Sequence, residues 1–501
     1  MEKLRRTVFF WMLTAIFLIT APLVVLRARG YRFDTSRGVF VHSGSINIKS
    51  NPQSVDVSLN GKLVQAKTLS RINNSYNISG LIPREYSLIV SANDFQSWDK
   101  KTKVHSGISS EFWNILLVRN NYEKIAHDTS GIQKFFISPK DKFVIFNQAI
   151  ENGMVAKILD IKGNEIKNVF PFPGWNLLDE AKKENIEWSP EEDYLSVPVQ
   201  RTSPETAVKT APAFATEKKT EYAYFILDPA EDNFFNLNDF LGKADIRNVR
   251  WDPRDRDYLF FLLSNSLYRA NIKEKDNLSL IAEDVSSYEL SKTDVYFSRL
   301  TNQLVYKSSL DGKSDKYQIT DNFPEVNSLL IDKLIIYDES RIAFLNSDKR
   351  LFIYNKGEHG NYFRKLSDNI EGMQFSNDGK KIIYWTKNEI SVYFLRDWNV
   401  QPTRSENEIQ GITRYSEELK NVQWFKDYEH IIFSSGAQIK IIELDSRDHR
   451  NTMDLPRLDI DNSFIVYNNS LEKLFFIDKG PASDNVLYSI IFPEKTSILG
   501  F

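Results

Sequence analysis

A single apolar run near the N-terminus constrains this chain more than any other feature. Residues 7–26 read TVFFWMLTAIFLITAPLVVL and contain no charged side chain. An α-helix of 20 residues is about 30 Å long, which matches the hydrocarbon core of a bilayer. Basic side chains flank the run on both sides: Lys3, Arg5, Arg6, Arg27, Arg29 and Arg32. We therefore predict a membrane anchor over residues 1–29 that contacts the membrane through residues 7–26.

Two other interpretations compete with an uncleaved anchor, namely a cleaved signal peptide and a buried helix of a soluble domain. A signal peptide has an apolar segment of about 7–15 residues and ends in small residues, whereas Arg27 and Arg29 follow this longer run. Because the basic flanks are nearly balanced, the positive-inside rule favours a cytoplasmic N-terminus only slightly. We predict a single-pass membrane protein with a cytoplasmic N-terminus and an extracytoplasmic body.

The composition describes a globular, strand-rich body after the anchor. Aromatic residues reach 13%, and aromatic side chains favour strands. The length exceeds what one hydrophobic core supports, so at least two domains are expected. The net charge is −3, and acidic and basic residues are mixed, so no basic stripe predicts a nucleic-acid partner. The chain has no cysteine, which fits an exported protein and excludes disulfides and cysteine-ligated metal sites.

Short alternating strands and turns predict a small β-sandwich over residues 44–118. Val55, Val57 and Leu59 alternate with polar residues, and Asn60-Gly61 follows them as a strong hairpin signal. Half-apolar strands of this kind place one sheet face on a core and the other in water.

The same segment resembles a PEGA domain. The resemblance rests on Ile46-x-Ile48-x-Ser50-x-Pro52, Val55-x-Val57-x-Leu59-Asn60-Gly61-Lys62, Leu81-Ile82-Pro83-Arg84-Glu85-Tyr86 and Phe95-Gln96-x-Trp98. Arg84 and Asp94 stand where that family usually has glycine. The resemblance implies an envelope-type β-sandwich module without catalytic residues.

Residues 122–501 carry a loose repeat that predicts a β-propeller. In each unit an aromatic or aliphatic residue, often followed by serine or aspartate, precedes a strand. These anchors are Ile137, Trp188, Trp251, Phe297, Tyr337, Phe375, Trp424 and Tyr467. Their spacing of roughly 40–50 residues, with two or more strands per unit, is typical of propellers. We expect the anchors to pack between neighbouring blades.

The unit FSNDGKKIIYWTKNEISVYFL, residues 375–395, resembles the repeat of TolB-like and WD40-like propellers. Eight units predict seven or eight blades, so the fold class is mainly β, with a transmembrane helix, a PEGA-like sandwich and a propeller. The wider gap between Trp188 and Trp251 contains an insertion, residues 201–220, which lacks strand periodicity. We expect this insertion to be a loop on one face, either simply solvated or in contact with a partner.

Catalytic and metal-binding patterns are absent from the sequence. The six histidines show no pair at helical ligand spacing, and no phosphate-binding loop or nucleophile elbow occurs: His42, His105, His127, His359, His430 and His449. The acidic turns Glu191-Glu192-Asp193 and Asp255-x-Asp257 are interpreted as solvated turn charges rather than cation sites. Asp252, Asp338 and Asp378 occupy similar repeat positions, which favours a turn role. We predict no catalytic, cofactor-binding or metal-binding residue and no cofactor.

These observations favour a non-enzymatic, membrane-anchored cell-envelope protein. The sandwich would act as a spacer, and the propeller would bind an envelope protein or polysaccharide. The alternative is an envelope glycan hydrolase or lyase whose carboxylates converge in the propeller channel. A sensor that signals across the membrane is a weaker hypothesis, because few residues precede the anchor.

Overall fold

The computed structural model describes residues 2–64, 69–70, 75–178, 186–202, 220–321 and 330–493. The first element is helix α1, Glu2–Ala28, with Pro22 in its last turns. Its segment Arg5–Ala28 is long and apolar enough to cross a membrane, a test that a signal sequence also passes. Because none of this segment is buried by the rest of the chain, α1 is not the core helix of a soluble domain.

A short hairpin joins α1 to two facing sheets, which we call the sandwich. The hairpin consists of β1, Tyr31–Asp34, and β2, Val39–His42. The first sheet has the order β10-β3-β7-β6 and the second the order β5-β4-β8-β9. The strands are β3 Gly44–Asn51, β4 Asp56–Leu59, β5 Lys62–Leu63, β6 Leu69–Ser70, β7 Ser75–Leu81, β8 Glu85–Ser91, β9 Trp98–Lys103 and β10 Ser109–Leu116.

The two sheets of the sandwich share one hydrophobic core. Ile46 and Ile48 of the first sheet are fully buried, as are Leu88 and Val90 of the second. The alternation read from the sequence therefore decides which face of each strand is buried. The predicted Asn60-Gly61 turn is confirmed, since both residues have positive φ between β4 and β5.

After the sandwich the chain forms eight antiparallel sheets in succession, over the described residues. Their strands follow one another in chain order within each sheet. Sheet 1 holds β12 Ile132–Ile137, β13 Phe143–Ile150, β14 Gly153–Asp160 and β15 Glu165–Pro173; sheet 2 holds β16 Asn176–Leu177, β17 Glu187–Trp188, β18 Leu195–Thr202, β19 Thr220–Asp228 and β20 Asn233–Asn236, followed by helix α2 Leu237–Leu241; sheet 3 holds β21 Arg247–Trp251, β22 Tyr258–Leu263, β23 Ser266–Asn271 and β24 Leu278–Ala282.

The remaining five sheets repeat this arrangement. Sheet 4 holds β25 Val285–Leu290, β26 Asp294–Arg299, β27 Val305–Ser309 and β28 Tyr317–Gln318; sheet 5 holds β29 Ile331–Asp338, β30 Arg341–Asn346, β31 Leu351–Lys356 and β32 Asn361–Ser367; sheet 6 holds β33 Gly372–Phe375, β34 Lys381–Trp385, β35 Glu389–Phe394 and β36 Ile409–Arg414; sheet 7 holds β37 Leu419–Trp424, β38 His430–Ser435, β39 Gln438–Glu443 and β40 Thr452–Arg457; sheet 8 holds β41 Ile465–Asn468, β42 Lys473–Lys479 and β43 Asn485–Ile491.

The last sheet closes the array into a ring. Strand β11, Ile125–Ala126, comes before sheet 1 in the sequence but pairs with β43 as the fourth strand of sheet 8. First strands of neighbouring sheets also contact each other, as β33 contacts β37 and β37 contacts β41. A ring of sheets with their first strands innermost is a β-propeller, which closes without leaving a long unpaired edge.

The strand order gives the ring two distinct rims. Turns between first and second strands, and between third and fourth strands, lie at one rim, which we call the sandwich rim. Turns between second and third strands, and the connections between sheets, lie at the opposite rim, which we call the distal rim. The predicted insertion, residues 201–220, lies between β18 and β19, and the described strand ends that flank it, Thr202 and Thr220, are at the distal rim. Residues 203–219 of this insertion lie outside the described residues.

A serine after the repeat anchor explains the predicted repeat. Ser189 is fully buried, and its Oγ accepts hydrogen bonds from the backbone N–H of Asp193 and Tyr194, at 3.1 and 3.0 Å. Ser138 makes the same two bonds in sheet 1. The serine side chain thus accepts hydrogen bonds from backbone N–H groups in the turn between first and second strands, as serine commonly does in turns.

The anchors pack between sheets, as expected. The Trp188 ring of sheet 2 stacks on Phe143 of sheet 1, with 6.0 Å between ring centres. Trp251 of sheet 3 stacks on Tyr194 of sheet 2, also at 6.0 Å. Stacked aromatic pairs contribute more than the apolar area they bury, so these rings help to hold successive sheets in register.

One of the eight predicted anchors is wrong. Phe297 lies in the second strand of sheet 4, whereas the other seven lie in first strands. Leu290 holds the equivalent place in sheet 4, and the Ser291 that follows it accepts a hydrogen bond from the Asp294 N–H at 3.0 Å. Both segments show an apolar residue followed by serine, so only the turn hydrogen bonds distinguish them.

Candidate functional site

A buried lysine fixes the sandwich to the sandwich rim of the ring. The Lys100 side chain is fully buried, and its Nζ lies 2.8 Å from Glu443 Oε1. It also donates hydrogen bonds to the carbonyl oxygens of Asp445 and Arg447, at 3.0 and 2.9 Å. Trp98 Nε1 donates to the other Glu443 oxygen at 2.9 Å. Because buried charges are tolerated only when they are paired, this contact specifies a single docking position.

Polar contacts to sheets 6 and 7 extend the same junction. Gln401 accepts a hydrogen bond from the Glu111 N–H at 3.1 Å and donates to the Ser109 carbonyl at 3.1 Å. Arg447 donates to the Glu111 carbonyl at 2.8 Å, and its guanidinium lies 4.0 Å from the ring centre of Phe112. The sandwich is therefore held from two sheets, and the distal rim is left on the side away from it.

A buried histidine lies beside this junction. His430 Nδ1 is 2.7 Å from Asp427 Oδ2, and His430 is almost fully buried. A cavity of about 20 Å³, large enough for one water molecule, separates it from Trp98 and Glu443. Burial alone would lower the pKa of His430, but the Asp427 carboxylate raises it above the ordinary value. The pKa of Asp427 is lowered: burial opposes the shift, and the charge of His430 outweighs it.

We expect this pair to make stability depend on pH. A histidine with a raised folded pKa adds stability that is fully present below about pH 6.5 and is lost as pH rises through the folded pKa. Asp427, with a lowered pKa, adds stability that is lost only as pH falls below about 4. The melting temperature should therefore fall between pH 6 and pH 9, and His430→Gln should flatten this fall. The exposed His105→Gln is the control; an unchanged slope in the His430 variant would contradict the assignment.

The central channel carries a charged triad on its first strands. Arg250 of sheet 3 lies between Glu187 of sheet 2 and Glu289 of sheet 4, with N–O distances of 2.9 Å to each. Burial raises the pKa of Glu187, and the positive charge of Arg250 opposes this. A cavity of about 400 Å³ adjoins the triad, and its lining includes Asn248, Asp332 and Lys333. Glu187, Arg250 and Glu289 lie near the ends of their first strands, so this cavity lies inside the channel along the first strands of sheets 2 to 5.

The channel residue that precedes three of the anchors also links neighbouring sheets. Glu187 Oε2 accepts a hydrogen bond from the Trp251 N–H of the next sheet at 3.1 Å. Likewise, Gln374 Oε1 accepts a hydrogen bond from the Trp424 N–H at 3.2 Å, and Gln423 Oε1 accepts one from the Tyr467 N–H at 2.8 Å. This role was not predicted from the sequence. Its signal is a glutamate or glutamine directly before the anchor, as in Glu187-Trp188, Gln374-Phe375 and Gln423-Trp424.

Another cavity lies at the distal rim, between the start of β19 and the connection from sheet 2 to sheet 3. It measures about 630 Å³, and its lining includes Tyr222, Asn236, Asp239 and Lys243. Arg247 lies nearby with its guanidinium 4.0 Å from the ring centre of Tyr222. Polar side chains and an aromatic ring at the mouth of a cavity suit recognition of another molecule more than burial in a core.

The structure places the acidic turns of the sequence analysis in ion pairs between sheets. Arg256 of sheet 3 pairs with Asp193 and, at 3.4 Å, with Glu191 of sheet 2. Asp257 pairs with Lys273 at 2.7 Å. These contacts agree with a turn role for Glu191, Asp193 and Asp257. The interpretation of Glu192 as a solvated charge is wrong, because Glu192 is buried and accepts a hydrogen bond from the Lys140 N–H.

The predicted equivalence of three aspartates holds for two of them. Asp252 and Asp338 directly follow their anchors, and each pairs with an arginine, Arg269 and Arg341 respectively. Asp378 stands two residues later in its turn and accepts hydrogen bonds from Ser376 Oγ at 2.6 Å and Lys380 N–H at 3.1 Å. In sheet 6 Ser376 takes the place that aspartate has in sheets 3 and 5.

Of the six histidines, His359 lies near two carboxylates on the surface. Its Nε2 is 2.8 Å from Asp397 Oδ2, and the Glu358 carboxylate is close to both. Glu358 and His359 are exposed, and Asp397 is partly exposed. The Asp397 carboxylate already accepts a hydrogen bond from the Glu406 N–H at 2.7 Å. Exposed acidic groups of this kind are common, and we assign no metal to them.

Comparisons with known proteins assign no family to the chain. No protein-family model matches the chain, and no curated protein matches it in sequence. A crystal structure of the eukaryotic initiation factor aligns with 82% of this chain and 94% of its own, at 12% identity and a TM-score of 0.45. Sqt1 from Saccharomyces cerevisiae aligns with 74% of this chain and 99% of its own, at 11% identity and a TM-score of 0.43. The Dos1 propeller aligns with 75% of this chain and 95% of its own, at 10% identity and a TM-score of 0.46. At these identities the similarity is one of fold only.

Proposed function

We propose that this chain is a non-enzymatic binding protein, anchored in a membrane by α1, which presents the distal rim of its propeller to a protein partner. The observation that supports this most directly is the position of the cavity of about 630 Å³. It lies on the rim opposite the sandwich, between sheets 2 and 3, and its lining includes Thr220 and Glu221 at the start of β19. Propellers bind ligands chiefly through turns at one end of the central channel.

The sandwich acts as a PEGA-like spacer in this proposal, and the eight sheets are eight blades. The buried Lys100–Glu443 contact supports a rigid spacer, because a free linker would not bury a paired charge. The body lies outside the cytoplasm, as the sequence analysis predicts. An envelope protein is the proposed partner; an envelope polysaccharide is the other outcome that the experiment below distinguishes.

Photo-crosslinking in intact cells tests the binding rim. A photoreactive amino acid at Lys243, on the distal rim, should give crosslinked protein adducts, whereas the same amino acid at Lys313 on the sandwich rim should not. Lys313 is a suitable control because 85% of its side chain is exposed. Equal adducts at both positions, or none at Lys243, would contradict the proposed rim. Adducts that disappear on glycosidase treatment would identify a polysaccharide instead.

One observation favours the alternative of a glycan-acting enzyme. Glu187, whose pKa is raised by burial, and Glu289 both reach Arg250 in the channel. Pairs of carboxyl groups with different environments can serve as acid and base in glycoside cleavage. In this hypothesis Glu187 is the acid and Glu289 the base or nucleophile. Release of reducing sugar from envelope glycans by the purified chain, abolished in Glu289→Gln, would establish it over the binding proposal.

A further inference from the structure

The hairpin between α1 and the sandwich exposes two aromatic side chains, Phe33 and Phe40, which belong to none of the hydrophobic clusters formed by the described residues. Phe33 and Phe40 lie opposite each other in the register of β1 and β2, with 5.2 Å between ring centres. Their exposed fractions are 49% and 42%. On the same face Tyr31 and His42 form a second ring pair at 5.2 Å. One face of the hairpin is thus an aromatic ladder.

The opposite face of the hairpin is held by the sandwich. The Arg32 guanidinium packs on Gly80, where an added Cβ would lie 3.0 Å from it, and β1 contacts β7. The Ser43 N–H and Oγ donate to the Gly30 carbonyl at 2.9 and 2.6 Å. Asp34 is buried and caps the turn through the Ser36 N–H at 3.0 Å. The aromatic face is therefore fixed outward by the structure.

Position and charge together indicate what covers this face. Only Arg29 and Gly30 separate the end of α1 at Ala28 from Tyr31. If residues 7–26 span the hydrocarbon core, the hairpin lies in the adjacent headgroup layer, because its four-residue strands extend about 13 Å. Residues 27–42 contain four arginines and one aspartate, a net charge of +3 with histidine neutral. Aromatic rings and basic side chains at this depth are the groups that anchor proteins at bilayer surfaces.

We propose that the β1–β2 hairpin is a second membrane contact, which lies in the headgroup layer and binds anionic phospholipid through its aromatic face and flanking arginines. The inference rests on the proposed anchoring by α1. A second membrane contact would restrict tilting of the sandwich about the end of α1. Because the sandwich is docked on the propeller through the Lys100 junction, the propeller would then keep a fixed orientation relative to the membrane.

A fluorescence experiment on the full-length chain tests the hairpin. Because the chain has no cysteine, Phe40→Cys provides a single labelling site for an environment-sensitive dye. The labelled protein is reconstituted into vesicles of phosphatidylcholine, either alone or with about 30% phosphatidylglycerol, an anionic lipid of the kind that attracts basic segments. We expect blue-shifted emission, quenching by lipids brominated near the headgroup, and stronger quenching in the anionic vesicles.

A matched control and a separate check keep the outcomes distinct. Asp245→Cys on the distal rim, whose side chain is 82% exposed, should give water-like emission and no quenching. Retention in the vesicles after alkaline carbonate reports anchoring by α1 independently. A retained chain with water-like emission at position 40 would overturn the hairpin contact alone. A chain extracted by carbonate would overturn the anchoring and the hairpin proposal with it, and equal quenching in neutral and anionic vesicles would overturn the role of the arginines.

Discussion

Lys100→Met is expected to destabilise the sandwich–propeller junction by about 3–5 kcal/mol, the usual cost of removing one partner of a buried ion pair. Methionine has a similar length, but it leaves the Glu443 carboxylate buried without its cation. It also removes the donor to the carbonyl oxygens of Asp445 and Arg447. Hydrogen exchange should therefore accelerate by about a hundredfold or more in residues 444–451. A chain of this size need not unfold in one two-state transition, so this local measurement is more informative than one global transition.

Lys101→Met and Lys103→Met are matched controls for this experiment. Both lysines lie on the same strand as Lys100, but their side chains point to the exposed face. Loss of an exposed lysine changes stability by only about 0.5 kcal/mol. If all three variants exchanged alike in residues 444–451, the buried lysine would not be what fixes the junction.

Arg250→Met is expected to make the ring sensitive to pH. Without the guanidinium, the Glu187 and Glu289 carboxylates face the channel without the cation that they share. Repulsion between them adds to the burial that already raises the pKa of Glu187. When a glutamate has a higher pKa in the folded protein than in the unfolded chain, where it is about 4.3, the folded protein loses stability as the pH rises from the unfolded pKa to the folded pKa. We expect a loss of about 2–4 kcal/mol at pH 8 and a smaller loss at pH 5, because Arg250 is partly exposed to the channel.

The melting temperature measured from pH 5 to pH 8 checks this result. Arg414→Met is the control, because Arg414 and its partner Glu389 are both largely exposed, at 82% and 47%. That variant should keep the pH profile of the unchanged protein. A parallel downward shift of the whole Arg250→Met profile would mean that the arginine acts through packing and not through its charge.

Much of the architecture was predictable because it depends on local patterns. The uncharged run of residues 7–26 predicted α1, and the Asn60-Gly61 signal predicted the hairpin turn between β4 and β5. The repeat of an anchor followed by serine predicted the ring, because that serine closes the turn between first and second strands. Sheet 4 shows the limit of such a pattern. Leu290-Ser291 and Phe297-Ser298 both satisfy it, and only the hydrogen bonds of Ser291 show which segment forms the turn.

The candidate binding surfaces were not predictable in the same way. Glu187, Arg250 and Glu289 are separated by 63 and 39 residues in sequence, and only the closure of the ring brings them together. Lys100 and Glu443 are 343 residues apart, and nothing near Lys100 in the sequence distinguishes it from the exposed Lys101. The distal rim is defined by which turns point away from the sandwich, which is a property of the assembled sheets.

The sequence by itself determined the apolar helix, the β class, the repeat and most of its strand ends, because these follow from hydrophobicity, alternation and turn chemistry over a few neighbouring residues. Only the tertiary structure decided which charges are buried and paired, which turns lie at the rim opposite the sandwich, and that Phe33 and Phe40 of the β1–β2 hairpin are exposed. Those properties depend on contacts between residues far apart in the chain, and the free energy of such contacts is set by burial, which local sequence does not specify.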